Sequence, residues 1–248
     1  MKPTPVRRIL WVIAILVLLG LLMAGLARAQ PVRILDDKGR EVSLPRPPQR
    51  IVSLLPSLTE SVCELEQCHR LVGVDRYSNW PEAVIGKLPK VGGGIDPSIE
   101  AIVALKPDVV LMSVSSRASD RLEALGLTVV QLEPKTHADV RRVLGTVSDL
   151  LGVPRAQGAD RLWRVIDAGV LAAAQSLPPK AKNARVYFEV SRGPYAAGEA
   201  SFIGESLTRL GVRNVVPASL GPFPRLNPEF VVRANPDIIM IGNRSMQA

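Results

Sequence analysis

The chain has 248 residues, with 31 basic and 23 acidic side chains, 47% apolar residues, two cysteines and two histidines. It is too long for a small disulfide-stapled domain and too apolar for a disordered protein, so a sizeable core or two modest lobes are expected. The formal net charge is +8, but residues 1–29 hold four basic and no acidic side chains. The rest shows no basic cluster interleaved with aromatics, so nucleic-acid binding is disfavoured.

The first 29 residues are predicted to be a signal peptide. Lys2, Arg7 and Arg8 precede an uncharged run, residues 9–26, which ends in a small-x-small pattern at residues 27–29 that suits signal peptidase. An uncleaved membrane anchor is the alternative, because this run approaches the ~20 residues needed to span a bilayer. Either way, we expect the globular part to be exported to the periplasm.

From residue 50 onward, short β-branched runs alternate with helical patterns, which is typical of βαβ units and a parallel sheet. Strands are predicted at Ile51–Leu55, Leu71–Val74, Asp108–Met112, Thr128–Leu132, Arg185–Val190, Val215–Val216 and Asp237–Ile241. Helices are predicted at Ser57–Leu65, Asp96–Leu105, Arg117–Leu125, Ala138–Leu151, Ala156–Ser176, Phe202–Leu210 and Pro228–Ala234. The helix that ends at Ser176 is long enough, at roughly 30 Å, to cross between two lobes.

The predicted fold class is therefore α/β, with two Rossmann-like parallel-sheet lobes joined by a long backbone helix. We place the N-terminal lobe at residues 30–152, the connecting helix at 153–180 and the C-terminal lobe at 181–248.

Two cysteines stand close together, at Cys63 and Cys68. In an exported protein a local disulfide is favoured, provided that the chain leaves the helix at Glu66. A metal site formed with His69 is the alternative, but the neighbouring stretch offers no fourth ligand. The other histidine, His137, is expected with His69 on the solvated surface, so neither is assigned a catalytic role.

An internal repeat links the two halves. Residues 100–111 align without a gap on residues 229–240, and each copy has a Glu near the helix start, a Pro-Asp exit and an apolar strand. A chance recurrence in an α/β protein is the alternative. The first copy continues through further elements, whereas the second ends at Ala248, so we expect the sequence to lack several C-terminal elements of the second lobe.

Five motifs occur in order between residues 50 and 108. They are residues 50–60 (RIVSLLPSLTE), 71–75 (LVGVD), 77–81 (YSNWP), 89–93 (PKVGG) and 99–108 (IEAIVALKPD). Together they resemble the substrate-binding proteins of ABC importers for cobalamin, ferric siderophores and haem, and most closely the cobalamin-binding members. The resemblance covers about residues 48–243.

This resemblance implies a large ligand held between two lobes by loops at the carboxyl ends of parallel strands. The matching positions expected to contact ligand are Pro56, Ser57, Tyr77, Gly93, Gly94 and Phe223. Tyr195, which follows a predicted strand of the second lobe, is expected to line the same cleft. Tyr77 could instead be an ordinary surface aromatic and Phe223 a loop anchor, and Trp80 is expected to pack within the protein. The resemblance implies no bound cofactor or metal ion of the protein's own.

The resemblance also implies a docking role for Glu100 and Glu229, which match the positions at which members of the family place one acidic residue per lobe against the permease. The alternative is that each glutamate only complements the dipole of its helix, a surface effect of ~0.3–1 kcal/mol.

The predicted function is delivery of cobalamin or another corrinoid to an ABC permease by a monomeric, non-enzymatic binding protein. A ferric siderophore or haem is the second choice of ligand. An exported α/β hydrolase is the alternative of a different class, although no Gly-x-Ser-x-Gly, His-Glu-x-x-His or P-loop motif occurs.

Overall fold

The computed structural model describes residues 31–191 and 193–242. The predicted signal peptide or anchor, residues 1–29, and everything after Gly242 lie outside the described residues. Over the described ranges, no helix combines the length and apolarity that crossing a membrane requires.

The first half of the chain, which we call lobe 1, is built on a four-stranded parallel sheet. Its strands are β3 (Ile51–Ser53), β4 (Leu71–Val74), β5 (Val109–Met112) and β6 (Val129–Gln131), and they lie side by side in the order β4-β3-β5-β6. The helices between them are α1 (Pro56–Glu64), α2 (Glu82–Ile85), α3 (Ile99–Ala104) and α4 (Ser119–Ala124). All four residues of β5 are buried, since helices cover both faces of a parallel sheet.

An antiparallel hairpin of β1 (Val32–Leu35) and β2 (Glu41–Leu44) precedes this sheet. Sequence reasoning missed it. Its turn lies against the end of β6, where the Asp37 backbone N–H donates to the Gln131 carbonyl at 2.8 Å.

Lobe 1 ends with the long helix α5 (His137–Leu151), whose buried residues share the core of that lobe, and a second long helix, α6 (Ala159–Ser176), follows it. Thr136 and Asp139 form a capping box at the start of α5, and Gly152 ends it in the left-handed conformation. The predicted start of α6 at residue 156 is wrong by one turn. The chain from Pro154 to Gly158 instead closes a separate turn, in which the Gly158 N–H donates to the Pro154 carbonyl.

The second half, lobe 2, has a smaller sheet around β7 (Arg185–Ser191). β9 (Arg213–Asn214) and β10 (Ile238–Ile241) pair with β7 in parallel, and β8 (Tyr195–Ala196) pairs with it antiparallel. The helices are α7 (Phe202–Arg209) and α8 (Pro228–Ala234). The α/β class with a parallel sheet in each lobe is confirmed, whereas β8 was not predicted.

The strand predicted at residues 215–216 lies two residues earlier. Val216 is buried in the core of lobe 2, and the Asn214 side chain accepts a hydrogen bond from its N–H at 3.0 Å. The Val215 N–H still donates to the Val186 carbonyl at 2.9 Å, so the chain stays beside β7 for one residue beyond the strand.

The Pro-Asp pair that follows the helix in each copy of the internal repeat makes the same contact in the structure. The Asp108 carboxylate accepts from the Arg50 N–H at 2.9 Å, and the Asp237 carboxylate accepts from the Arg185 N–H at 2.8 Å. Each aspartate thus fixes the start of its own strand beside the central strand of the same sheet. The repeated sequence therefore makes the same contact in both lobes.

Candidate functional site

In lobe 1, the site predicted from the sequence lies in the loops that follow β3 and β4. Pro56 and Ser57 begin α1 directly after β3, and Ser57 is exposed while Pro56 is half-buried. The loop after β4 carries Tyr77, whose side chain is 54% exposed. Both loops leave the carboxyl ends of neighbouring parallel strands, which is where open α/β sheets bind ligands.

A buried polar network holds the Tyr77 loop in place. The carboxylate of Asp75, which is fully buried, accepts from the Tyr77 N–H at 2.8 Å and from the Ser78 hydroxyl at 2.5 Å. Because the Ser78 proton goes to Asp75, the Ser78 oxygen accepts from the Thr59 hydroxyl at 2.9 Å, and the Thr59 oxygen lies 2.9 Å from the Ser53 hydroxyl. The network therefore ties the second loop to β3 and α1. Sequence reasoning missed it, although an Asp-x-x-Ser directly after a strand is a typical turn signal.

The third loop contains the glycines at residues 92–94. A Cβ at Gly94 would lie 2.5 Å from the Leu54 carbonyl oxygen, and Gly92 has φ +100°. Gly93 is buried and Gly94 half-buried. The absence of side chains here lets the loop approach the end of β3 closely.

In lobe 2, Tyr195 and Phe223 are brought together by a second pair of segments. The Ala196 N–H donates to the Pro224 carbonyl at 3.0 Å, and the Gly198 N–H donates to the Pro222 carbonyl at 2.9 Å. Tyr195 is 41% exposed and Phe223 is 51% exposed. The segment at 222–224 is therefore pinned to the loop that leaves β7, and it displays both rings to solvent.

Trp80 corrects one expectation. It was expected to pack inside the protein, but its side chain is 59% exposed, next to a cis Trp80–Pro81 bond. It lies in the same loop as Tyr77, over which the Arg76 guanidinium lies at 6.0 Å from the ring centroid. The loop therefore presents two aromatic rings and one cation.

A separate apolar groove, about 280 Å³ in volume, lies between α1, α5 and α6. One face of α1 forms its polar wall, with Ser57, Glu60, Ser61 and Glu64. The other walls are apolar side chains of α5 and α6, including the 64% exposed Val165. Of the predicted site residues in the described chain, Ser57 lines this groove.

Cys63 and Cys68 form a disulfide, with their Cα atoms 4.2 Å apart. Glu66, with φ 65°, turns the chain out of α1 between them. His69 is exposed. In the described part of the chain, no group of three His, Cys, Asp or Glu side chains is placed to hold a metal ion.

The expectation that His137 lies on the solvated surface is wrong. Its side chain is buried, and its ring stacks on Phe202 of lobe 2 at a centroid distance of 4.5 Å. Burial lowers the pKa of His137 below its usual value. Its position at the junction of α5 and α7 could not be read from helical spacing within α5.

Glu100 and Glu229 are both exposed and lie in the first turns of α3 and α8. Ser98 caps α3 by accepting from the Ala101 N–H at 3.2 Å, and Asn227 caps α8 by accepting from the Glu229 N–H at 2.8 Å. The backbone groups at these helix starts are thus already capped, so neither carboxylate is needed as a cap.

Comparison with known proteins gives consistent matches. A profile of the periplasmic binding protein family matches residues 51–248. A cobalamin-binding protein of Halobacterium salinarum is 30% identical over 86% of this chain and 58% of that protein. An uncharacterised ABC transporter substrate-binding lipoprotein of Bacillus subtilis is 29% identical over 85% of this chain and 68% of that protein.

Solved structures agree with these matches. A periplasmic haem-binding protein from Pseudomonas aeruginosa has a TM-score of 0.68 and 27% identity, with 81% of this chain and 74% of that chain covered. The chain thus spans between 58% and 74% of the length of these three proteins. Because the family profile covers well over half of the residues, the chain belongs to the periplasmic binding protein family, which indicates an exported binding protein.

Proposed function

We propose that the chain is the substrate-binding component of an ABC importer and that it binds a large, flat metal chelate, cobalamin or a related corrinoid, between lobe 1 and lobe 2. The single observation that carries this proposal is the set of exposed aromatic rings on both lobes. The chain has three Trp, three Tyr and four Phe. Four of these ten are substantially exposed in the loops of the candidate site: Tyr77, Trp80, Tyr195 and Phe223.

Exposed rings of this kind support a flat ligand for a physical reason. An aromatic side chain buries 150–250 Å² when it is covered, and stacking adds ~0.5–1.5 kcal/mol. Rings on both lobes can then cover the two faces of one macrocycle. The backbone loops at Pro56 and Ser57 would border the ligand, while Gly93 and Gly94 would act by letting the third loop approach β3.

Haem is the second candidate, and one observation favours it. Tyr77 on lobe 1 and Tyr195 on lobe 2 both display their side chains to solvent, and a tyrosine oxygen can serve as the axial ligand of haem iron. The haem-binding protein from Pseudomonas aeruginosa shares the fold. A ferric siderophore is a further possible cargo of the same family.

Delivery to the permease is proposed to use Glu100 and Glu229. One exposed carboxylate stands on each lobe, at equivalent places in the repeat. Two charges held apart on separate lobes fix the register of a docked partner more than they add affinity. Complementary basic side chains are the chemistry expected on the permease.

The test is a calorimetric titration of the purified exported chain with cyanocobalamin, hemin and a ferric hydroxamate. The proposal expects saturable binding of one cyanocobalamin, tighter than either iron chelate. Saturable hemin binding with a shifted Soret band, lost in Tyr77→Phe or Tyr195→Phe, would instead select the second candidate. Saturable binding of none of the three would refute a chelate-binding function.

A further inference from the structure

His137 joins the two lobes through contacts that the proposed ligand site does not use. It is the first residue of α5, and its backbone N–H donates to the Glu205 carboxylate of α7 at 2.8 Å. Its ring stacks on Phe202 with an interplanar angle of 12°. A residue at the start of a lobe 1 helix is thus held by one face of a lobe 2 helix.

The hydrogen-bond partners of the ring determine its protonation state. The Ser206 hydroxyl donates its proton to the Phe202 carbonyl at 2.8 Å. The Ser206 oxygen also lies 2.8 Å from His137 Nε2 and has no second proton to give, so it accepts a hydrogen bond from Nε2–H. Arg209 Nη1 lies 2.8 Å from Nδ1. A guanidinium has donors and no acceptor, so Nδ1 must offer a lone pair. The ring is therefore neutral, with its one proton on Nε2.

The charged groups around the ring come from two neighbouring helices. Glu205 and Arg209 belong to α7, and Asp167 of α6 accepts a hydrogen bond from the second amino group of Arg209. Burial is the main cause that lowers the pKa of His137; the two acidic groups oppose it and Arg209 adds to it. On its own helix, Asp139 is already bonded to Thr136 and Arg142.

We propose that His137, Ser206 and Arg209 form an interlobe latch that holds only while His137 is neutral, so that acidification releases α7 from the start of α5 and alters the opening between the lobes. A proton taken up from solvent would bind to Nδ1, the atom that now accepts from Arg209. Two donors and two positive charges would then face each other across 2.8 Å. This latch does not depend on which ligand the protein binds, or on whether it binds one.

The sign of the effect follows from linkage. Because the pKa of His137 is lowered in the folded protein, the unfolded or unlatched chain binds more protons below about pH 6.5. The latch is therefore fully formed above that pH. It weakens progressively as the pH falls toward the lowered pKa.

The chain offers a matched control, because its second histidine, His69, is exposed. NMR titration of the His137 imidazole between pH 4 and 8 should show a pKa below the usual value for histidine. Spin labels at two introduced cysteines, Leu125→Cys on lobe 1 and Val232→Cys on lobe 2, report the interlobe distance by pulsed EPR. We expect that distance distribution to change with the same midpoint as the His137 titration.

Two variants separate the latch from general acid effects. His137→Asn keeps a hydrogen-bond acceptor for Arg209 but has no group that titrates, so the interlobe distance should no longer change with pH. His69→Asn should leave the pH-dependent change in distance intact. A pH response that persists in His137→Asn would overturn the proposal. If His137→Asn fails to fold, the wild type alone decides the question. An interlobe distance that does not change with pH, or that changes at a midpoint different from that of the His137 titration, would refute the latch.

Discussion

Truncation of Phe223 to alanine tests whether the rings at the carboxyl ends of the strands bind a flat ligand. Phe223 is 51% exposed, and a phenylalanine carries roughly 200 Å² of surface, so about 100 Å² is available for a ligand to cover. At ~25 cal/mol per Å² this corresponds to about 2.5 kcal/mol. Alanine would retain a small part of that area, which leaves a loss of about 2 kcal/mol and an increase in Kd of roughly 30-fold.

The assay is titration calorimetry with cyanocobalamin, supported by thermal unfolding of each variant. Because Phe223 is half exposed in a loop, its truncation should leave the unfolding temperature nearly unchanged. The control is Leu125→Ala, which removes a 59% exposed apolar side chain at the end of α4, toward the amino ends of the strands. An unchanged Kd for Phe223→Ala, or an equal weakening by Leu125→Ala, would refute the assignment.

Three further predictions concern docking, acid stability and the backbone helix. Charge reversal at Glu100 and Glu229 should weaken transport by the reconstituted permease and leave the ligand Kd unchanged; unimpaired transport would contradict docking. Asp237→Asn should destabilise the fold at neutral pH, because hydrogen bonds from Arg185 lower the pKa of Asp237 to about 2. In urea unfolding, the difference in free energy of unfolding between the variant and the wild type should shrink as the pH falls from about 3.8 toward 2. A difference that stays constant over this range would count against the role of Asp237. Gly169→Ala should stabilise by about 0.5–1 kcal/mol, since no atom lies within 4 Å of the added Cβ in α6; a lower urea midpoint would contradict it.

The parallel strands and the long helices could be predicted from the sequence because their signals are local. β-branched runs between turn residues mark buried strands, and apolar residues at helical spacing mark the helices that cover them. The repeat could be found for the same reason. Lys106 and Asn235, at corresponding positions before proline, have φ 47° and 45°, so the chain leaves both helices through the same left-handed conformation.

The parts that sequence reasoning missed depend on contacts between distant segments. Nothing near Trp80 in the sequence shows that its side chain stays exposed. The bonds that join Asp75 to Ser78 and Thr59 link two loops. The ring of His137 meets its partners 69 and 72 positions away. Periodicity within one helix reports which face is apolar, but it does not report which other helix covers that face.

The two halves differ most informatively in how they use one helical face. Glu60-Ser61 of α1 and Glu205-Ser206 of α7 are matching pairs, each on the first α-helix after the first strand of its sheet. The chain leaves both helices through a positive φ, at Glu66 and Gly211. On α7 this face binds the start of α5 through His137. On α1 the corresponding face lines the open groove beside α6. The matching faces of α1 and α7 therefore make different contacts, so a change at Ser206 should disturb the His137 contact between α5 and α7, whereas the matching change at Ser61 should act on the wall of the groove.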